Sequence, residues 1–202
     1  MTRSSDIDPP DPGTGPTAGL SSVPGDAWIA EAFRRDWDDP HHWRWNTLAD
    51  IDARSLLDLL ILRSRVFVVE QHCIYLDPDE KDIGARFLHA SCAGQTVATV
   101  RVLDAGMRFA EPSIGRVCVA PELRRTGLGR ALMREALRGC SRYFPGASIR
   151  ISAQAYLGDF YRSFGFVVVS EPYLEDDIDH VEMLLRPLAP GEDDGSRQSP
   201  HK

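Results

Sequence analysis

The order of the predicted elements points to an α/β chain. It is built on one central mixed, mostly antiparallel sheet with helices on both faces. Three observations carry this reading. The first half reads as strands joined by a hairpin turn. The second half alternates strand and helix, the pattern of a sheet covered by helices. Between them a short basic glycine turn, Arg124-Arg125-Thr126-Gly127-Leu128-Gly129-Arg130, joins an apolar strand run to a helical pattern.

Each element has its own signal. Trp28, Ile29, Ala32, Phe33 and Trp37 recur at helical spacing, so a short amphipathic helix is expected in an extension covering 26–42. Asp39-Pro40 ends it. Packing on its own domain is the default role, with partner binding or the capping of a homodimer as the others. Trp43, Arg44, Trp45, Asn46 and Thr47 form the first strand. Residues 52–65 form a helix with apolar surface from Leu56, Leu57, Leu59, Leu60 and Leu62, and Asp50 or Asp52 can cap it. Residues 66–69 are a short buried run, and 70–84 a polar loop with Asp77-Pro78 in it. Residues 87–92 and 97–103 make a hairpin around Ala93-Gly94-Gln95. Residues 114–119 are the central strand. After the glycine turn, Leu128, Leu132, Ala136, Leu137 and Cys140 share one helix face. Residues 149–153 alternate as a half-buried strand, a helix runs to Ser163, and strands at 166–169 and 180–185 close the chain.

A chain of 202 residues, 43% hydrophobic, is one ordinary domain with enough apolar material for a core, here placed at 43–188. Residues 1–25 are rich in Pro, Gly, Ser, Thr and Asp and are expected to be disordered, as is the tail from 189 to 202. The first stretch lacks the apolar core of a signal peptide, and no run approaches a membrane span. A net charge of −7 argues against nucleic acid and suits a small cationic substrate. The cysteines at 73, 92, 118 and 140 are scattered, which excludes a zinc or disulfide pattern and places the chain in a reducing cytoplasm. His41-His42 is too short a cluster for a metal, so no metal is expected.

The glycine turn carries the chemistry. Glycine permits close backbone approach and left-handed φ values. The first helical turn has N–H groups without intrahelical partners, so with the helix dipole it forms an anion site. Arginines add charge beside it, and a phosphate or pyrophosphate is the natural guest. A P-loop would need Gly-Lys followed by Ser or Thr, which is absent. A dinucleotide fingerprint would need a small residue where Leu132 stands. Arg124-x-x-Gly127-x-Gly129 instead resembles the acetyl-CoA signature of the GCN5-related N-acetyltransferases (GNAT). Residues 155–166, ending Phe164-Gly165-Phe166, resemble the second half of that core. Two further segments, 62–73 followed by Asp77, Asp82 and His89, and 173–183, are similar to its ElaA-like branch. The resemblance covers about 43–186 in order.

The resemblance implies a GNAT fold with a splayed sheet and an acetyl-CoA co-substrate. It places the pyrophosphate on the backbone N–H groups of Thr126, Gly127, Leu128, Gly129 and Arg130, beside Arg124 and Arg125. The backbones of Val117 and Val119 would pair with the pantetheine arm, and an N–H near Val119 would hold the oxyanion. Tyr161 takes the family's position for protonating the departing thiolate. The general base stays open. The strand Ser113-Ile114-Gly115-Arg116-Val117 lacks the glutamate that many relatives carry, and Glu70, His89 and His180 are the candidates. On the acceptor side, Glu171, Glu175, Asp176, Asp177 and Asp179 form an acidic segment expected to recruit a protonated amine. Of these, Glu175 and Asp176 fit the ElaA-like pattern, and His180 starts the last strand. The expected activity is transfer of an acetyl group from CoA to a primary amine of a small molecule or peptide. The alternatives are a catalytically silent acyl-CoA-binding module and an acyl-homoserine-lactone-type synthase on the same fold.

Overall fold

The computed structural model describes residues 27–187. The expected tails at 1–25 and 189–202 lie outside the described residues. Helix α1 (Ala27–Arg34) precedes strand β1 (Trp43–Thr47). Helix α2 (Ala53–Arg63) follows, its N-terminus capped by the Asp52 carboxylate, which accepts from the Ser55 N–H. The hairpin β2 (Arg86–Cys92) and β3 (Gln95–Leu103) leads to β4 (Ser113–Val119), and the glycine turn then opens α3 (Leu128–Tyr143). Strand β5 (Ile149–Gln154), helix α4 (Gly158–Arg162), and strands β6 (Val167–Val168), β7 (Tyr173–Glu175) and β8 (Ile178–Leu185) complete the fold. Among the described residues no helix is long and apolar enough to cross a membrane.

The eight strands form one sheet in the order β1-β2-β3-β4-β5-β8-β6, with β7 added to β8. Every pairing is antiparallel except that of β4 with β5. Strand β3 is buried along nearly its whole length, because helices cover both sides. Phe87 and Leu103 turn to the α2 face and pack on Leu59. On the other face α3 lies so close to β1 that a Cβ on Gly139 would sit 2.0 Å from the Trp45 ring. Helix α1 docks on the domain through Ala32, and in the residues just after it Trp37 also joins the main core and Arg35 donates to the Ser91 carbonyl at 2.8 Å.

Two expectations change. The run at 66–69, expected to be buried, is buried only at Val66. Helix α2 continues as a π-helical segment, Ser64–Glu70, with Val66 buried and Val69 facing solvent. The acidic stretch before the last strand is also not a plain loop. Strands β7 and β8 pair as a hairpin with Glu175 opposite Ile178, so Asp176 and Asp177 alone make the turn. Their φ values of 52° and 60° match a primed two-residue turn, which aspartate tolerates.

The 70–84 loop is anchored by buried charge. Arg63, 1% exposed at the end of α2, donates from Nε to Asp77 at 2.7 Å and from Nη1 and Nη2 to Asp82 at 2.9 and 3.1 Å. Arg101 of β3 reaches Asp79 at 2.6 Å and Asp82 at 2.9 Å. Arg116 of β4 holds the other Asp77 oxygen at 2.7 Å, an ion pair whose angle is poor for a hydrogen bond. Burial raises the Asp82 carboxyl, but the hydrogen bonds and charges of Arg63 and Arg101 outweigh it and hold the group below the usual carboxylate range. The result is an alternating chain, Arg116–Asp77–Arg63–Asp82–Arg101–Asp79, spanning α2, the loop, β3 and β4.

Removing one member of such a chain leaves buried charge without a partner. Arg63→Ala should therefore cost about 3–5 kcal/mol in a denaturant titration. The exposed pair Arg54–Asp58 is the control, and Arg54→Ala should leave the midpoint nearly unchanged.

Candidate active site

Strands β4 and β5 share a single backbone pairing, Ser113 with Arg150. Beyond it they diverge, and a cleft of about 330 Å³ opens between them, within the range of small-molecule sites. A bulge in β4 shapes its wall. Gly115 faces Arg101 and Cys118 faces Thr99, so Arg116 and Val117 together oppose one residue of β3. Arg116 takes φ 51° there, a left-handed value unusual for a non-glycine residue in a strand. The β5-facing N–H and C=O groups of Gly115 to Val119 have no strand partner, so they are free to meet a ligand's amides.

The glycine turn follows Arg124, which lines the cleft, whereas Arg125, Thr126, Gly127, Leu128, Gly129 and Arg130 are not among the lining residues. Gly127 has φ 94°, and no atom lies within 4 Å of where its Cβ would be. It is glycine because of its backbone conformation, and the space beside it is open. Thr126 Oγ1 donates to the Leu123 carbonyl at 2.8 Å and fixes the turn. The first helical bonds run from Arg130 N and Ala131 N to the Gly127 carbonyl, both at 3.0 Å. The N–H groups of Gly127, Leu128 and Gly129 precede them at the positive end of α3, that of Leu128 donating to Thr126 Oγ1 at 3.4 Å. The Arg130 N–H is thus already engaged. Its side chain folds back over Phe160 and Phe164 and donates to Ser163 at 2.9 Å. Arg125 is exposed. Arg124 lines the cleft and grips Glu70 in a two-pronged pair at 2.6 and 2.7 Å.

Tyr161 of α4 lines the middle of the cleft and is 6% exposed, packed edge-on against Phe160 and Phe166. Burial pushes its phenol well above the ordinary value of 10, so it keeps its proton throughout the physiological range. Opposite lies a polar group from β5, β7 and β8. Ser152 donates to Glu175 at 2.9 Å and lies 2.7 Å from the Tyr173 hydroxyl. Arg108 holds both Glu175 oxygens at 3.0 Å. Burial raises the Glu175 carboxyl, but Arg108 and Ser152 together hold it below the usual range. His180 stacks on Tyr173, and its Nδ1 lies 2.8 Å from the Ile178 carbonyl. That contact requires Nδ1 to carry the proton, which leaves the Nε2 lone pair as the imidazole's acceptor.

The cleft thus brings together Glu70, Val117, Val119, Arg124, Tyr161, Glu175, Asp176 and His180. It does not include His89. That residue is 3% exposed on β2, its Nε2 lies 3.1 Å from Asn46, and burial lowers its pKa. The acidic segment also divides. Glu175 points inward and is neutralised by Arg108, whereas Glu171, Asp177 and Asp179 are exposed away from the cleft lining. Arg108, Arg116, Tyr75, Ser152 and Tyr173 were not singled out from sequence. Arg116 had been read only as the absence of a glutamate, and the others meet the site through tertiary contacts that periodicity does not report. Among the described residues no group of His, Cys, Asp or Glu could hold a metal ion. A second groove, about 930 Å³ between α3 and the β6–β8 edge, is lined by no carboxylate or histidine; its Cys140 thiol is pushed by burial to about 12.

Comparison with known proteins agrees with this geometry. Residues 69–187 match the acetyltransferase (GNAT) domain family. Protein ElaA of Escherichia coli is 37% identical over 150 residues, covering 73% of this chain and 94% of that protein. The crystal structure of ElaA superposes with a TM-score of 0.68 at 36% identity, covering 71% of this chain and 98% of that one. An acyl-CoA N-acyltransferase from Pseudomonas aeruginosa gives the same TM-score at 40% identity, covering 71% and 97%. A CoA-dependent acyl-homoserine lactone synthase shares the fold at 16% identity and a TM-score of 0.60, covering 72% and 83%. The parted strands, the glycine turn at the head of α3 and these relatives lead to one conclusion: the chain is an acyltransferase of the GNAT family, in its ElaA-like branch.

Proposed function

We propose that the protein transfers an acetyl group from acetyl-CoA directly to a primary amine. The observation that carries this is the cleft itself, lined by Arg124 at the entry to the glycine turn and by the buried Tyr161 phenol. The N–H groups of Gly127, Leu128 and Gly129 take the pyrophosphate, and Arg124 exchanges Glu70 for phosphate oxygens. The unpaired backbone at Val117 and Val119 receives the pantetheine amides. This orders the thioester beside Tyr161.

The amine nitrogen then attacks the acetyl carbon. A backbone N–H near Val119 stabilises the oxyanion. As the tetrahedral intermediate collapses, the C–S bond breaks and Tyr161 gives its proton to the sulfur. The amine's proton goes to a base, and His180 fits best, because Nδ1 is tied to Ile178 and Nε2 is left to accept. Glu70, the other cleft candidate, pairs with Arg124, and the exchange of that arginine to phosphate would release it. The intact Arg124–Gly129 turn favours this reading over a silent module or an acyl-homoserine-lactone-type synthase.

The test is release of CoA thiol with a panel of amines. Turnover above the rate without amine supports an enzyme, and none with any amine contradicts it. Tyr161→Phe should lower kcat by about 10²–10⁴-fold while leaving acetyl-CoA affinity nearly unchanged. An unaltered kcat with a chemistry-limited amine would make Tyr161 structural. His180→Gln, which removes the acceptor lone pair, should lower kcat while leaving acetyl-CoA affinity nearly unchanged. An unaltered kcat with a chemistry-limited amine would place the base elsewhere.

A further inference from the structure

We propose that the acceptor carries a carboxylate that docks on Arg116, so that the substrate is an amino-acid-like amine and not a simple cationic one. This rests on the acetyltransferase reading and specifies its second substrate. Arg116 lies on the β4 bulge, where it lines the cleft with its side chain 19% accessible. The left-handed backbone at this position, φ 51°, is unfavourable for arginine. Its guanidinium is nonetheless held by two aromatic rings and one carboxylate. The Phe67 and Tyr75 rings lie 5.7 and 5.5 Å from its central carbon, and Asp77 holds Nε at 2.7 Å.

The buried charge chain explains why a cation is presented here. Arg63 and Arg101 each engage two carboxylates, whereas Arg116 has one. Arg63 spends Nε, Nη1 and Nη2 on its partners. Arg116 Nε faces Asp77 as an ion pair without hydrogen-bond geometry, and among the described residues its Nη1 and Nη2 make no hydrogen bond. The chain therefore ends in positive charge at the cleft and in Asp79, 30% accessible, at its other end. Two terminal nitrogens in one plane match a carboxylate's two oxygens, and holding the fork rigid reduces the entropy lost on binding. Of the carboxylates lining the cleft, Glu175 is held by Arg108 and Ser152 and Glu70 by Arg124, while Asp176 is exposed at the β7–β8 turn.

The experiment compares matched acceptors, each a free amino acid against its amide and against the decarboxylated amine, in the CoA-thiol assay at saturating acetyl-CoA. The expected result is a preference for the carboxylated member of about tenfold or more in kcat/KM, expressed mainly in KM. In Arg116→Gln that ratio should fall toward one. In Arg116→Lys, which keeps the charge and loses the fork, it should fall several-fold. Melting curves and acetyl-CoA titration establish that each variant is folded, and if Arg116→Gln is not, Arg116→Lys carries the test. Amides and amines acetylated as well as the acids, or a preference that survives in a folded variant, would overturn the carboxylate site while leaving the acetyltransferase reading intact. Acetyl-CoA binding without turnover of any member would overturn both.

Discussion

After Ser113 and Arg150, strands β4 and β5 make no further backbone pairing. A sheet interior rarely leaves such groups unpartnered, because each buried N–H or C=O without a partner costs free energy. Here the parting is built in from both sides. The bulge at Arg116 and Val117 turns β4 away, and the Arg150 guanidinium fixes β5 by joining Glu111 and Glu182 across the base of the divergence at 2.7 and 2.6 Å. The cleft, the exposed backbone at Val117 and Val119, and the access of α4 and Tyr161 to the middle of the sheet all depend on that parting.

The buried charge chain holds one side of the opening. Its members come from α2, from β3, from β4 and from the loop between α2 and β2. Buried ion pairs are poor sources of net stability, but they are specific about geometry, since each carboxylate fits only where its arginine waits. In this protein the specified geometry includes the Arg116 guanidinium between Phe67 and Tyr75. A contact that anchors a loop on one face of the sheet therefore also sets the shape and charge of the cleft wall.

Much of this was legible in the sequence. The glycine turn, the β2–β3 hairpin and the face of α3 follow from local periodicity and turn chemistry, and the structure places them within a residue or two. What was hidden depends on pairs far apart in the chain or on ambiguous local signals. Four consecutive apolar residues at 66–69 read as a buried run, but they continue α2 as a π-helical segment that buries only Val66. The β7–β8 turn is Asp-Asp and lacks the glycine that would have announced it. Glu70 and Arg124 are 54 residues apart, so neither revealed that the candidate base is occupied by the arginine of the anion site. The alternation in β2 placed His89 on one face of a strand but could not say that this face meets α2 and not the cleft.

The central claim is that the parted strands and the head of α3 form an acetyl-CoA site. Calorimetric titration of acetyl-CoA into the protein and into Gly127→Asp tests it most directly. The open space beside Gly127 is where the pyrophosphate is placed, so a side-chain carboxylate there would meet it with like charge. The account predicts saturable binding to the parent and an affinity loss of at least about tenfold, the loss of a charge-assisted contact, in a variant whose melting curve shows it folded. Equal affinity in the folded variant would contradict it.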